Sequence, residues 1–409
     1  MAGEWRETEL GRLLLFANGR SSPARADSLP HPVYGSNGII GYASEANADA
    51  KSIVIGRVGS YCGSLYFSKQ QCWVTDNAIR ATAFGENDPR FLFYLLTTLK
   101  LNNWRAGSGQ PLLNQDILGR IPASVPELHE QSAIAHVLGT LDDKIELNRR
   151  MNETLEAMAR ALFKSWFVDF EPVRVKAEGR DPGLPKALAD FFPSHLVDSE
   201  LGEIPEEWVL GHFGDLVEHL RDQENPLESP DTEFAHFSIP AFDEGQWPKR
   251  EPGSEIKSLK SRVPQGVILM SKLNPEIERV WLVDVGSTDR AVCSTEFLVL
   301  QPRSPFTRSY AYCLARSPLF RQQIESLVTG TSKSHQRAQV DSILNLVVVL
   351  PPRRLSETFD RVAKEALNRT LACRRESRSL IALRDALLPK LISGEVRVQR
   401  SDRLAKVTA

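Results

Sequence analysis

The sequence carries the same order of features twice, and this duplication constrains the fold more than any single motif. "DILGRIPASVP" begins at Asp116 and "DSILNLVVVLP" begins at Asp341; both start with Asp, place apolar residues at matching offsets and end at a proline. We call this alignment of Asp116 with Asp341 the repeat register. It continues without a gap, since "ARALFKSWF" falls on "RDALLPKLI". The period is too long for a solenoid repeat, so it predicts duplication of a whole domain with its connector.

The two halves also begin alike. "EWRETELGRL" and "EWVLGHFGDL" place Trp5 and Trp208 at the same distance before a glycine, but Trp208 lies farther from Asp341 than Trp5 lies from Asp116, which implies an insertion between these anchors. Short glycine-punctuated runs such as "SIVIGRVGS" and alternating runs such as "STEFLVLQP" predict strands. We therefore predict an α/β (α+β) fold with two similar globules related by a pseudo-two-fold internal repeat.

A long amphipathic helix is predicted after each proline. In the first half, apolar residues three or four apart form a heptad seam. Its members are Ile134, Leu138, Leu141, Ile145, Leu155, Ala159, Leu162 and Trp166, with Asn148 and Asn152 in the gap. In the second half, Phe359, Ala366, Cys373, Leu380 and Leu387 keep the seven-residue spacing, while Ala363, Thr370, Ser377 and Arg384 weaken the alternate positions.

Each seam can be buried against the other. An antiparallel coiled coil is favoured, because the intervening domain must carry the chain from the end of the first helix back to the second helix. The two asparagines would then fix the register at some cost in stability. A helix from Glu130 to Phe167 would be roughly 57 Å long. The predicted division is 1–126 first globule, 127–170 central helix, 171–205 linker, 206–352 second globule, 353–393 C-terminal helix and 394–409 tail.

Composition and motifs restrict the chemistry. A charge of −2 gives no global sign of nucleic-acid binding, and five scattered cysteines favour neither a disulfide framework nor a zinc site, so a reducing cytosol is expected. The N-terminus lacks the pattern of a signal peptide, and no membrane span is expected.

"TGTSKSHQRAQV" is not a P-loop, and the Asp-Pro-Pro-Tyr, His-Glu-x-x-His and Gly-x-Ser-x-Gly motifs are missing. No catalytic or metal-binding residue is predicted.

Three segments of the chain are distinctive, namely "PELHEQSAIAHVLGTLDDKIELNRRMNETLEAMARALFKSWFVDFEPV", "EIKSLKSRVPQGVILMSKLNPEIERVW" and "GSGQPLLNQDIL". These segments resemble the specificity subunit of type I restriction-modification systems. The resemblance implies two target-recognition domains, each reading one half of a bipartite double-stranded DNA site. It also implies that antiparallel conserved helices separate these domains and dock modification subunits, of which two are expected.

The resemblance further implies that the chemistry belongs to other subunits. The modification subunits would transfer methyl groups from S-adenosylmethionine to adenine, and restriction subunits would use ATP and Mg²⁺ for translocation and cleavage. This chain would bind no cofactor, would not be an enzyme by itself, and would work in the cytoplasm of a bacterium or archaeon.

Polar residues in the two globules are the candidates for contact with DNA, because Arg and Lys suit guanine edges and phosphates while Asn and Gln suit adenine. In the first globule they are Tyr34, Ser36, Asn37, Arg57, Ser108, Gln110 and Asn114; in the second they are Lys257, Lys260, Lys272, Asn274, Lys333, His335 and Arg337. Turn formation by Asn37 and Asn274, or pairing of Arg57 with a carboxylate, is the alternative role.

Two other functions stay open from the residues alone. A non-catalytic scaffold would use the helices to assemble partners and the globules to bind protein, and it would show no sequence-specific DNA binding. A free-standing nuclease or methyltransferase would show turnover by the isolated chain, which the missing motifs disfavour.

Overall fold

The computed structural model describes residues 5–105, 112–286, 289–328 and 336–398. Contacts divide the chain into two compact units: unit 1 is Met1–Asn148 with Glu376–Ala409, and unit 2 is Arg149–Arg375. This division cuts both long helices, so the domain limits predicted from the sequence stay a prediction. Of the helices in the described ranges, none is long and apolar enough to cross a membrane.

In its described residues, unit 1 contains nine strands, two short α-helices and parts of the two long helices. The strands are β1 (Arg6–Glu9), β2 (Leu14–Asn18), β3 (His31–Gly35), β4 (Gly38–Ala43), β5 (Ser52–Gly56), β6 (Leu65–Ser68), β7 (Trp73–Val74), β8 (Ala78–Ala83) and β9 (Pro122–Val125). The helices are α1 (Pro89–Thr98), α2 (Gln115–Gly119) and the first part of α3 (Leu128–Phe167), with the last part of α11 (Arg353–Ile392).

Unit 2 begins with the remainder of α3 and ends with the first part of α11. Its short helices are α4 (Glu171–Ala177), α5 (Lys186–Ala189), α6 (Phe213–Leu216), α7 (Ile239–Asp243), α8 (Arg308–Ala315), α9 (Pro318–Ser326) and α10 (Val340–Leu344). Its strands are β10 (Leu196–Ser199), β11 (Gly202–Pro205), β12 (Val209–His212), β13 (Val217–Leu220), β14 (Gln223–Glu224), β15 (Glu233–Phe237), β16 (Lys249–Pro252), β17 (Lys260–Arg262), β18 (Ile268–Ser271), β19 (Val280–Leu282), β20 (Arg290–Cys293), β21 (Phe297–Pro302) and β22 (Val347–Leu350).

The two units are built on the same four-stranded antiparallel sheet. Its strand order is β2-β8-β5-β6 in unit 1 and β13-β21-β18-β19 in unit 2. The central strands β5 and β18 are buried along their whole length, which accounts for their nearly continuous apolar sequences "SIVIG" and "ILMS". The predicted α/β duplication is therefore confirmed at the level of sheet topology.

The elements around this sheet also recur. A helix follows the sheet in each unit, and its first turn is capped by a side chain: Asp88 accepts from the N–H groups of Arg90 and Phe91, and Thr307 accepts from Tyr310. The two duplicated "D…P" segments form α2 with β9 and α10 with β22. Strand β9 pairs with β1, and β22 pairs with β12, both antiparallel.

The second sheet differs between the units. Unit 1 has three strands in the order β4-β3-β7, whereas unit 2 has five in the order β14-β17-β20-β15-β16. The predicted linker, residues 171–205, also contains more structure than expected, namely two short helices and the β10–β11 hairpin. Val173, Phe192 and Ile204 from this segment are buried. It therefore folds as part of unit 2.

The two long helices run antiparallel within each unit. In unit 1, Asp142 near the start of α3 pairs with Arg384 near the end of α11, and Lys144 pairs with Glu376. In unit 2, the ring of Phe163 lies 5.7 Å from that of Phe359. Each helix has 40 residues and is about 60 Å long, so the predicted long antiparallel helices are confirmed.

The predicted helix seam is apolar at its ends and polar in its middle. Ile134, Leu138, Ala159 and Trp166 are buried. Asn148 is fully buried and its amide donates to Glu376 at 2.9 Å, while its role in fixing the register stays a prediction. Two of the α11 residues that weaken its heptads form polar contacts. The Thr370 hydroxyl donates to the Ala366 carbonyl, and Arg384 forms an ion pair with Asp142.

Candidate nucleic-acid interface

The two units present equivalent polar residues at the end of a central strand, which is β5 in unit 1 and β18 in unit 2. In unit 1, Leu112 bridges to Val58, and the Leu113 N–H donates to the carbonyl of Arg57 at 3.1 Å. The same contacts recur in unit 2 after β18: Arg337 bridges to Leu273, and the Ala338 N–H donates to the carbonyl of Lys272 at 3.0 Å. Arg57 and Lys272 thus occupy the same position of the fold.

The loops that precede these bridges are the polar segments matched by the duplication. Four of the predicted DNA-binding residues belong to them and lie outside the described residues: Ser108, Gln110, Lys333 and His335. In both units, the described residues that follow these segments return to the end of the central strand.

Three predicted residues of unit 1 lie together at this position. Ser36 and Asn37 form the two-residue turn between β3 and β4. The Ser36 hydroxyl donates to the carbonyl of Asn77 at 2.5 Å, and the Arg57 N–H donates to the same oxygen at 3.0 Å. Gly56 permits this close approach, because a Cβ there would lie 2.9 Å from the Ser36 carbonyl oxygen and 2.2 Å from that of Tyr61.

The polar atoms at this position are only partly engaged. The Asn37 side chain is exposed. The Nε of Arg57 is buried and has no hydrogen-bond acceptor among the described residues. Since an unpaired buried donor costs free energy, Arg57 is a side chain for which a ligand oxygen would be a favourable partner.

Two other predicted residues of unit 1 have structural roles. Tyr34 is 7% exposed and its ring packs 6.1 Å from that of Tyr66, and burial raises the pKa of its hydroxyl. Asn114 caps α2, since its side-chain oxygen accepts from the Ile117 N–H at 2.8 Å. These roles leave both side chains with less capacity for a base contact, and their assignment to DNA stays a prediction.

In unit 2, three predicted residues meet at the end of β18. The Asn274 N–H donates to the carbonyl of Gln336 at 2.8 Å, next to the bridge formed by Arg337 and beside Lys272. Asn274 has a φ of 47°, the left-handed conformation that asparagine tolerates better than most residues. The turn role considered for Asn274 is therefore present, and it places Asn274 beside two cations.

The charges here are mixed. Arg337 is held by Glu296 in a two-pronged ion pair with distances of 2.8–3.1 Å, and these hydrogen bonds raise the pKa of Arg337. Burial, together with the positive charges of Arg221 and Lys272, lowers the pKa of His219. Asp341 acts in the opposite direction and raises the pKa of His219, so both signs of charge act on this side chain.

The remaining predicted residues, Lys257 and Lys260, belong to a different part of unit 2. Lys257 is exposed just before β17 of the five-stranded sheet, and Lys260 starts that strand, where burial lowers its pKa. The structure thus distributes the predicted residues of the second globule between two sheets.

The sequence interpretation missed a cation cluster on the five-stranded sheet. Glu224, whose side chain is 7% exposed, accepts from Arg262 at 3.1 Å and also pairs with Arg290. Arg290 lies 5.0 Å from the centre of the Phe234 ring. Side chains two residues apart in a strand lie on the same face, so the prediction of Lys260 on β17 could have been extended to Arg262. No comparable sequence pattern points to Arg290.

We found no constellation typical of catalysis in the described ranges. They hold no group of three His, Cys, Asp or Glu side chains able to bind a metal ion. The five cysteines are all free and buried, and burial raises the pKa of the Cys293 and Cys313 thiols to about 12.

Comparisons with known proteins agree with this arrangement. Residues 3–157 match the family described as "Type I restriction modification DNA specificity domain". The type I restriction enzyme HindI specificity subunit of Haemophilus influenzae is 24% identical over 367 residues, covering 75% of this chain and 77% of that protein. The MjaIX specificity subunit of Methanocaldococcus jannaschii is 26% identical over 325 residues, covering 76% of this chain and 69% of that protein.

A solved structure shows the same fold. The crystal structure of the type I restriction-modification S subunit from M. genitalium aligns with a TM-score of 0.61 at 13% identity, covering 98% of this chain and 97% of that one. Residues 3–157 therefore match the DNA specificity domain of type I restriction-modification systems, and about three quarters of the chain is similar to type I restriction enzyme specificity subunits.

Proposed function

We propose that this chain is the DNA sequence-recognition subunit of a type I restriction-modification complex, and that each globule reads one half of a bipartite site. The observation that carries this proposal is the repeated sheet, which presents Arg57 in unit 1 and Lys272 in unit 2 at the same position, where each carbonyl accepts from an equivalent backbone N–H. Two similar readers on one chain suit a polymer that offers two separated sites, as duplex DNA does.

The chemistry of the two positions fits nucleic acid. The guanidinium group of arginine can form paired hydrogen bonds with guanine edges and phosphate oxygens, and the asparagine amide can form them with adenine. Arg57 has an unpartnered buried Nε, whereas Arg337 already has Glu296 as a partner, so a phosphate must compete with a carboxylate there. With a net charge of −2, the affinity would come from such local positions and from the partner subunits, and it would fall with rising salt.

Exchanging the second globule tests this function. Residues 206–350 are replaced by the corresponding segment of another family member, the chain is expressed with modification and restriction subunits, and methylated adenines are mapped across the genome. We expect one half of the methylated motif to change completely while the other half is retained, because each globule makes its own base contacts.

The matched control exchanges residues 1–125 instead, and it should alter the opposite half only. A change of both halves in either exchange would contradict independent reading. Sequence-independent or absent DNA binding by the full wild-type complex would favour the alternative, a non-catalytic protein-assembly scaffold.

We also propose that the paired helices dock two modification subunits. In unit 2, a groove of about 700 Å³ runs between α3 and α11, and its rim exposes 61% of Met158 and 55% of Val362. The repeat register assigns Leu383, which is 48% exposed, to the position of Met158, whereas Val137, at the position of Val362, is partly buried against the core of unit 1. Exposed apolar side chains such as Met158, Val362 and Leu383 are typical of protein-binding surfaces.

Charged substitutions in the groove should remove one partner. The double variant Met158→Asp with Val362→Asp is expected to shift the mass of the purified complex from two modification subunits to one, because a carboxylate in a buried apolar contact is strongly unfavourable. Native mass spectrometry measures the stoichiometry. Leu319→Asp, at a residue that is 55% exposed outside this groove, is the control. Retention of both subunits by the double variant would overturn the docking proposal.

In this proposal, the chain supplies recognition and assembly, and its partners supply the reactions. S-adenosylmethionine would be used by the modification subunits, and ATP with Mg²⁺ by the restriction subunits, with no cofactor bound to this chain. The cytoplasm of a bacterium or archaeon is the compartment that holds the DNA on which such a complex acts.

A further inference from the structure

Each unit contains a carboxylate on α3 that joins three structural elements. In unit 1 this residue is Asp142, which accepts from the Tyr94 hydroxyl of α1 at 2.5 Å and from Arg384 of α11 at 2.9 Å. The adjacent Asp143 accepts from both terminal nitrogens of Arg90, also on α1, at 2.9 Å each. The globule helix α1 is thus fastened to α3, and the same carboxylate reaches α11.

Unit 2 contains the same arrangement in a more buried form. Glu156 on α3 pairs with Arg374 of α11 at 2.6 Å and with Arg316, the residue that follows α8. All three side chains are 10% exposed. Arg316 is held in turn by the Tyr312 hydroxyl of α8 and by Glu278. We call Asp142 with Asp143, and Glu156, the junction carboxylates.

The two junctions are not copies left by the duplication. The repeat register places Leu367 opposite Asp142 and Ile381 opposite Glu156, and neither can accept a hydrogen bond through its side chain. A carboxylate between an α11 arginine and a globule helix has therefore been built in both halves from non-equivalent residues. Both units thus contain this kind of joint, although the residues that form it are not equivalent.

The junctions add direction to a contact that is otherwise apolar. In unit 1, Phe91 and Leu92 of α1 belong to the same core as Ile134 and Leu138 of α3. Apolar burial is non-directional, so such a contact tolerates small rotations. A two-pronged arginine pair is directional, because both hydrogen bonds lengthen when the guanidinium turns. Hydrogen bonds from Arg90 lower the pKa of Asp143 to about 2.

We propose that the junction carboxylates are positioning residues that fix the angle of each globule on its helices, and thereby the spacing between half-sites that the complex accepts. This inference rests on the proposed DNA-recognition function. One base pair more or less between the half-sites moves one of them by about 3.4 Å and rotates it by roughly 34–36° around the duplex axis. A globule held at a fixed angle cannot follow that rotation.

The test removes the α1 contacts of the unit 1 junction and leaves the exposed pair of Lys69 with Asp143 in place. The variant Arg90→Gln with Tyr94→Phe removes the donors on α1 and keeps the Phe91 and Leu92 packing. The control Arg384→Gln removes the α11 donor to the same Asp142 and leaves the globule contact intact. Each full complex is expressed in a host, and methylation is mapped at sites that carry both correct half-sites with the normal spacer or one base pair more or less.

We expect the double variant to raise methylation at the wrong spacers, relative to the normal one, by about tenfold, equal to about 1.4 kcal/mol. The bases of the half-sites should stay the same, and the control should keep strict spacing. Arg90→Lys should restore part of the discrimination by keeping the charge. A uniform loss of methylation with strict spacing would show a merely structural role and overturn the inference.

Two further measurements keep the test decisive. If the double variant does not fold, Tyr94→Phe alone, which removes one hydroxyl, must still raise methylation at the wrong spacers above wild type, and strict spacing in this variant would reject the inference. Failure of the underlying function is recognised separately, because the wild-type complex would then methylate no bipartite motif at all.

Discussion

Replacing Phe359 by alanine is expected to lower the free energy of unfolding of unit 2 by about 3–5 kcal/mol. Phe359 is fully buried, and its ring lies 5.3 Å from Phe167, 5.7 Å from Phe163 and 6.2 Å from Trp166. Alanine would leave a cavity where α11 packs on α3, and the surrounding rings can fill it only in part. Chemical denaturation followed by tryptophan fluorescence measures the change, since Trp166 reports on this core.

The matched control is Val362→Ala, three residues along the same helix. Val362 is 55% exposed, so its truncation should change the free energy of unfolding by no more than about 0.5 kcal/mol. A loss below about 1 kcal/mol for Phe359→Ala would contradict the packing described for the long helices in unit 2.

The second large effect is expected at Glu156. Glu156→Gln should cost about 3–5 kcal/mol, because removal of one partner from a buried ion pair leaves the other charge uncompensated. Arg316 would keep Glu278, but Arg374 would lose its partner, and Nη1 of Arg374 is already buried without an acceptor among the described residues. Thermal or chemical unfolding of the full chain measures the loss.

Glu153→Gln on the same helix is the control. Glu153 pairs with Arg149 at the surface, and both side chains are more than half exposed. Exposed pairs contribute about 0–1 kcal/mol and are screened by salt. Equal losses for the two glutamines, or abolition of the Glu156 effect by high salt, would show that the Glu156 pair is not buried as described.

Much of the fold could be predicted from local patterns. The heptad spacing predicted the start of α3 at Glu130, close to its observed start at Leu128, and the repeat register predicted equivalent α2–β9 and α10–β22 segments. The predicted linker was underestimated, because the α4–α5 segment and the β10–β11 hairpin owe their order to burial of Val173 and Phe192 in the core of unit 2. Short elements stabilised by such contacts carry little local signal.

Prediction of the candidate site was less complete. Polar composition selected Ser36, Asn37 and Arg57, which meet at the end of β5, and also Tyr34, which is buried; the assignment of all four to DNA stays a prediction. A tyrosine beside a polar turn has the same sequence context whether its ring points inward or outward. The partner of Arg337 was missed for a related reason, since Glu296 is 41 residues away along the chain.

The sequence by itself determined the duplication, the two long helices and the apolar seam between them, because periodicity and repetition depend only on the order of residues. Tertiary structure alone decided which charges meet. Asp142 and Arg384 are 242 residues apart, and Glu156 and Arg374 are 218 apart, so no local spacing predicts these pairs. Ion pairs form wherever folding brings opposite charges within a few ångströms, and that proximity is set by the packing of whole elements.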